Sequence, residues 1–212
     1  MVTFTTQKTR IATEMTRADL AASGALETLL EQHYQDAVEH YANEKFWFNS
    51  IRTTVNTVAS TATVAVPSTV RTVERVRIDA YDSELIEVTL DKLSDYSASV
   101  GIPTHYAYYN DSLRFHPVPD AIYTLTLYGV AKVAAPTSGS DDTIWTNEAA
   151  PLIRAHTKMT LYRSVFRDAD GTQLALAETK DAHDRLRRET AKRLMTPIRA
   201  FPSTLPYNIN AE

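Results

Sequence analysis

At Ile51 the apolar residues of this chain stop recurring every third or fourth position and begin to alternate, and near Thr146 the helical spacing returns. That double change of period constrains the fold most, because a stripe that faces one side of a helix is scattered over both faces of a strand. A β region must therefore be inserted between helical segments. The expected class is α+β: a mainly helical body made of an N-terminal helix pair and two C-terminal helices, an inserted antiparallel β region, and an extended C-terminal tail.

The first helical part spans about residues 5–48. "TTQKTRIATEM" suits a short helix, and Leu26, Leu30, His33, Ala37 and Tyr41 recur at spacings of three and four along a second. That second helix is expected to carry Phe46, Trp47 and Phe48 at its C-terminal end, before Asn49 and Ser50 break it. From about 51 to 135 the Thr- and Val-rich "TVNTVASTATVAVP" reads as strand. "SELIEVTLDKL" fits strand or helix, and "THYAYYNDSLRFHPVPDAIYTLTLYGVAKV" fits a meander. There Asn110 and Asp111 turn the chain, Leu113 and Phe115 face one way, and Tyr123, Leu125 and Leu127 share a face with Thr124 and Thr126 opposite. Pro117 and Pro119 cannot donate to a ladder, which puts the short strand at a sheet edge or at its own end.

After the loop "APTSGSDDT", helices are expected over about 146–195. A central one carries Leu152, Ile153, His156, Met159, Leu161, Val165 and Phe166, with a turn ended by Gly171. The last has a thinner stripe of Leu176, Thr179, His183, Leu186, Thr190 and Leu194. Residues 1–196 read as a single domain. Pro197, Pro202 and Pro206 exclude a helix beyond it, so 197–212 reads as an extended docking tail.

The residue types that common active sites need are missing or badly spaced. Cysteine is absent, which removes thiolate nucleophiles, disulfides and Cys-type zinc sites. The five glycines form neither G-x-G-x-x-G nor a Walker A loop. "DADG" resembles the middle of an EF-hand loop. Setting Gly171 at its sixth position puts Phe166 and Ala177 where the end carboxylates belong, so a helix–helix turn fits better. The histidines 33, 40, 105, 116, 156 and 183 show no ligand spacing, and Asp141 with Asp142 lie in a solvated Ser/Gly/Thr loop. No catalytic residue, metal site or cofactor is expected, and the chain is not read as an enzyme. A formal charge of −4 and pI near 5.9 argue against an overall nucleic-acid binder. "MVTFTTQKTR" has no apolar leader and no stretch approaches the ~20 apolar residues that span a bilayer, so a cytoplasmically made protein with no membrane contact is expected.

Two segments do point outward. From Lys180 to Arg199 seven basic residues face three acidic ones, a local +4 that leaves −8 elsewhere. Arg185, Arg187, Arg188, Lys192 and Arg193 are either a solvated helix face, with i,i+4 pairs such as Asp181–Arg185 and Asp184–Arg188, or a contact for DNA phosphate or an acidic partner. The tail carries Ile198, Phe201, Leu205, Tyr207 and Ile209, too apolar for an unpartnered linker, and reads as a segment that docks on another chain.

The order "RIATEMTRADL", "AVEHYANEKFWFN", a Val/Thr-rich strand region reaching Pro67, "PTHYAYYNDSLRFHPVPDAIYTLTLYG", a Pro/Ser/Asp loop and "IWTNEAAPLI" resembles the head-to-tail adaptor (tail accessory factor, connector) family of tailed bacteriophages over nearly the whole chain. The most specific pieces are "EKFWFN" and "LRFHPVPDAIYTLTLYG". The resemblance implies a structural virion protein at the head–tail junction, assembled in the host cytoplasm. It implies a homo-oligomeric ring, a dodecamer, docked on the portal protein and extending the channel through which double-stranded DNA passes at ejection. On that resemblance the tail residues dock on the portal. Asn110, Asp111, Arg114 and His116 then meet a downstream neck or tail protein. The alternatives are a virion-associated peptidoglycan-degrading enzyme and a DNA-binding protein using the basic last helix.

Overall fold

Thr3 opens the first helix by accepting a hydrogen bond from the Thr6 amide, and α1 (Phe4–Glu14) buries Phe4, Ile11 and Ala12. The computed structural model describes residues 2–22 and 24–194. A short 3-10 turn, Ala18–Ala21, leads into α2 (Ala25–Tyr41), whose buried seam is Leu30, Tyr34, Ala37, Val38 and Tyr41. His33, expected on that seam, is only half-buried, because a 3.6-residue repeat drifts away from a strict alternation of three and four. The helix also ends earlier than expected, at Tyr41 and not at the aromatic run. The Asn49 side chain accepts from the Phe46 amide at 2.7 Å and donates to the Glu44 carbonyl at 2.8 Å, which holds residues 44–49 as a turn. That turn folds Phe46 and Phe48 inward, with Phe48 edge-on to Trp145 at 5.4 Å.

On the far side of the β region, Thr143 and Thr146 form a capping box at α4 (Ile144–Asn147), and α5 (Ala150–Leu161) takes Pro151 in its first turn. A π-helical stretch, Tyr162–Phe166, follows, and Arg167 turns the chain in the left-handed region at φ 52°. Asp168 then accepts from the Gly171 amide at 3.0 Å and caps α6 (Ala169–Leu194). Gly171 therefore lies in the first turn of α6, where it was expected to end a turn. As expected, α5 is central: it packs on α1, α2 and α6. α6 buries only Ala175, Thr179, Leu186 and Thr190, and Leu194 is exposed. These elements share one core, with Phe4, Ile11, Leu20, Leu30, Tyr34, Phe46, Trp145, Leu152, Ile153 and Leu161 nearly or wholly buried.

The inserted region is a sandwich with its own core. β1 (Ser50–Asn56), β10 (Thr124–Ala131), β3 (Val70–Ile78) and β4 (Ser83–Glu84) form one four-stranded sheet in that order. β2 (Thr63–Ala65), β8 (Ser112–His116), β7 (His105–Tyr109) and β5 (Ile86–Glu87) form the other. Between them Val76, Ile78, Leu85, Tyr106, Leu113, Phe115, Leu125 and Leu127 are buried. Pairing is antiparallel except for β5 with β7 and the small pair β6 (Val100–Gly101) with β9 (Val118–Pro119). The ambiguous stretch from Leu85 to Leu93 is both elements in turn: β5, then α3 (Leu90–Ser94), capped by Thr89.

Asn110 and Asp111, at φ 48° and 53°, make the tight turn between β7 and β8. β8 lies inside its sheet, so Pro117 marks the strand's end and not a sheet edge. Thr126, on the face opposite Leu125 and Leu127, is also fully buried, and its hydroxyl donates to Asp79 at 2.6 Å.

The sandwich stands on the helical body by one end. Ala131 donates to the Asn49 carbonyl at 2.7 Å, Lys132 to the Thr69 carbonyl at 2.8 Å, and Arg71 pairs with Glu39. The opposite end carries the loops around 57–62, 79–83 and 120–123, where Thr57 donates to the Tyr123 carbonyl at 2.9 Å.

Candidate interaction surfaces

The second half of α6 shows how the basic run is used. Arg187 lies 3.3 Å from Glu44, and Arg193 pairs with Glu189 while stacking 3.7 Å over the Trp47 ring. Arg188 donates to the Asp184 carbonyl at 3.2 Å, where a side-chain pair was the simple expectation. Arg185, Arg188 and Lys192 recur at spacings of three and four and so share a face. Among the described residues none of these three has a carboxylate within ion-pairing distance. They line an open groove of about 610 Å³. The row spans roughly 10 Å along the helix axis at about 1.5 Å per residue.

The four hairpin residues do not make one patch. Asn110 and Asp111 lie at the end of the sandwich next to the helical body, where Val66 donates to the Asp111 carbonyl at 2.9 Å. Arg114 is exposed at mid-strand opposite Thr63. His116 stacks on Tyr96 at 4.8 Å near the other end. The docking candidates Ile198, Phe201, Leu205, Tyr207 and Ile209 lie outside the described residues.

Periodicity put Tyr41, His156 and His183 on apolar stripes but did not show that they meet at one junction. Tyr41 and His156 share a hydrogen bond of 3.1 Å, and the His40 ring lies 4.9 Å from His156. His183 Nε2 sits 2.7 and 2.9 Å from the two Glu44 oxygens. Burial, reinforced by neighbouring His40, pushes His156 down to about 4, and burial with the Glu44 charge pushes Tyr41 up to about 12. These side chains tie α2, α5, α6 and the 44–49 turn together.

Two buried lysines were also missed. Lys8 meets Glu27 at 2.5 Å and Glu31 at 2.6 Å, and Lys158 meets Glu14 at 2.8 Å and Glu178 at 2.6 Å. Burial alone would lower both pKa values, but the paired carboxylates overcome it and raise them. A signal existed: Lys8 falls on the Phe4–Ile11–Met15 stripe, where a cation must bring partners with it. Lys158 and Glu14 line a larger open groove of about 1000 Å³ between α5 and α6, together with Arg154, Glu178, Arg185 and Arg188. Its charges are mixed: Glu14, Arg154, Lys158 and Glu178 pair among themselves, whereas Arg185 and Arg188 do not. Among the described residues no three His, Asp or Glu side chains approach as a metal site would require, and no helix is long and apolar enough to cross a membrane.

No curated protein matches the chain. A protein-family model described as SU10 adaptor protein matches residues 2–201.

Proposed function

Because the chain belongs to the SU10 adaptor protein family, and is thus a structural adaptor protein of a bacteriophage, we propose that it forms a ring at the head–tail junction of the virion, docked on the portal and continuing the DNA channel toward the neck or tail. The family match across residues 2–201 carries this reading. The distribution of polar chemistry supports it: the buried charges are spent on holding helices together, while Arg185, Arg188 and Lys192 stay free of carboxylates. Residues 1–196 act as one adaptor domain, and twelve copies close the ring through heterologous contacts.

The segment 197–212 docks on the portal through Ile198, Phe201, Leu205, Tyr207 and Ile209, each contributing roughly 1–3 kcal/mol when buried. The β region, with Asn110, Asp111, Arg114 and His116 spread along it, receives the downstream neck or tail protein over a broad front. Arg185, Arg188 and Lys192 face passing double-stranded DNA or an acidic partner. Arg187 and Arg193 hold the helix end to Glu44 and Trp47. An acidic surplus of −8 outside residues 180–199 suits a conduit, because dense phosphate pairing would hold DNA in place.

Electron microscopy of the protein mixed with portal tests the reading: a ring on the portal is expected, and its subunits can be counted. Deleting Pro197–Glu212 should leave circular dichroism unchanged and abolish the ring. A truncated protein that still decorates the portal would remove the tail from the mechanism, and a full-length protein that never does would remove the portal.

A further inference from the structure

Four loops meet at the end of the sandwich farthest from the helical body: 57–62, 79–83, 97–103 and 117–123. Among the described residues ten large apolar side chains stand exposed, and five of them, Val58, Tyr81, Val100, Ile102 and Ile122, lie on these loops. Ile122 at 71% and Val100 at 67% are the two most exposed of the ten. Hydrogen bonds join the loops into one surface. The Thr57 hydroxyl donates to the Ala121 carbonyl at 3.0 Å and accepts from the Tyr123 amide at 2.8 Å, and the Ser60 amide donates to the Pro119 carbonyl at 2.7 Å. β6 pairs Val100 with Val118, and the Tyr81 ring lies 6.1 Å from that of Tyr123.

The charges of these loops have one sign. They are Asp79, Asp82 and Asp120, with no lysine, arginine or histidine. Asp82 pairs with Arg77, at the end of β3. Asp79 and Asp120 accept from hydroxyls, Thr126 at 2.6 Å and Tyr123 at 2.5 Å, and have no cation beside them among the described residues.

We propose that this end is a docking platform for a different protein, one that presents apolar side chains bordered by lysine or arginine. This rests on the adaptor reading and narrows the receiving front to one end of the β region. Asn110 and Asp111, at the opposite end of the sandwich, fall outside it.

Charge and area choose such a partner over a second copy. Two of these ends face to face would set Asp79 and Asp120 against their counterparts, whereas a basic border meets them with the opposite sign. The exposed apolar side chains amount to roughly 500 Å², a large patch for one surface but short of the roughly 800 Å² that each partner gives to a standard interface. A self-contact made only here would be small and repelled at its border. A cationic border extends the contact over the acidic residues, and a ring repeats it. The loops are already fixed by their mutual hydrogen bonds, so docking need not order them.

Particles grown with Ile122→p-benzoylphenylalanine and then irradiated should give a new band on a denaturing gel. It should join this chain to a virion protein that is neither another copy nor the portal, with the cross-link beside lysine or arginine by mass spectrometry. An adduct only with this chain, only with the portal, or none would overturn the assignment. As an independent arm, Val58→Ser/Ile122→Ser should still form rings on isolated portal, yet lower the yield of particles with complete tails at least tenfold. Asp120→Lys should do the same, while Asp120→Asn, which keeps an acceptor for Tyr123, should lower the yield far less. Unchanged yield from the double variant, equal losses from the two Asp120 variants, or rings lost from either variant would overturn the proposal. Failure of the unmodified chain to enter particles would instead remove the adaptor reading on which it rests.

Discussion

His156 sits where α2, α5 and α6 meet, bonded to the Tyr41 hydroxyl at 3.1 Å and 4.9 Å from the His40 ring. Its folded-state value near 4 lies below the 6.5 of an ordinary histidine, first because of burial and then because of His40. Between those values the unfolded chain binds the proton and the folded one does not, so this contribution to stability is complete above about pH 6.5 and is lost as pH falls toward 4. Because the ring keeps some solvent, the loss is on the order of 1 kcal/mol. Urea midpoints at pH 7 and pH 5 should differ more for the wild-type protein than for His156→Gln, and equal differences would show that His156 takes up its proton freely in the fold. Lys8 and Lys158 illustrate the complementary rule at this scale: a buried cation persists because it is doubly paired.

Among the elements, β10 is held on both sides, by β1 on one and by β3 on the other. The register with β3 shifts between Tyr128 and Gly129, and a Cβ at Gly129 would lie 1.9 Å from the Thr72 carbonyl oxygen. Backbone cannot yield as a flexible side chain can. Gly129→Ala should therefore cost about 2 kcal/mol or more in chemical denaturation. By contrast, Gly24→Ala meets no neighbouring atom, and its cost, which comes only from the backbone φ of 153°, should be smaller. α6 shows the opposite economy. It has a single buried row along 26 residues, so most of its surface is free for contact.

For the whole molecule, the helical body and the sandwich keep separate cores, yet the chain enters the sandwich at β1 and leaves it at β10, which pair side by side. The body's two tryptophans report one core, while the far-ultraviolet signal reports both. We expect the two probes to give coincident thermal transitions, as a single unit of residues 1–196 requires. Separate transitions would divide the chain into two domains.

The amino-acid order by itself determined the class of fold, because the period of apolar residues is a local property that each segment carries wherever it ends up. It marked the helices, the inserted strands and the Asn110–Asp111 turn. Only the tertiary structure decided where α2 stops, since the Asn49 side chain captures the Glu44–Phe46 backbone across a turn that no spacing announces. It also decided which of the five candidate basic residues, Arg185, Arg187, Arg188, Lys192 and Arg193, remain free, because Glu44 and Trp47 come from more than a hundred positions earlier.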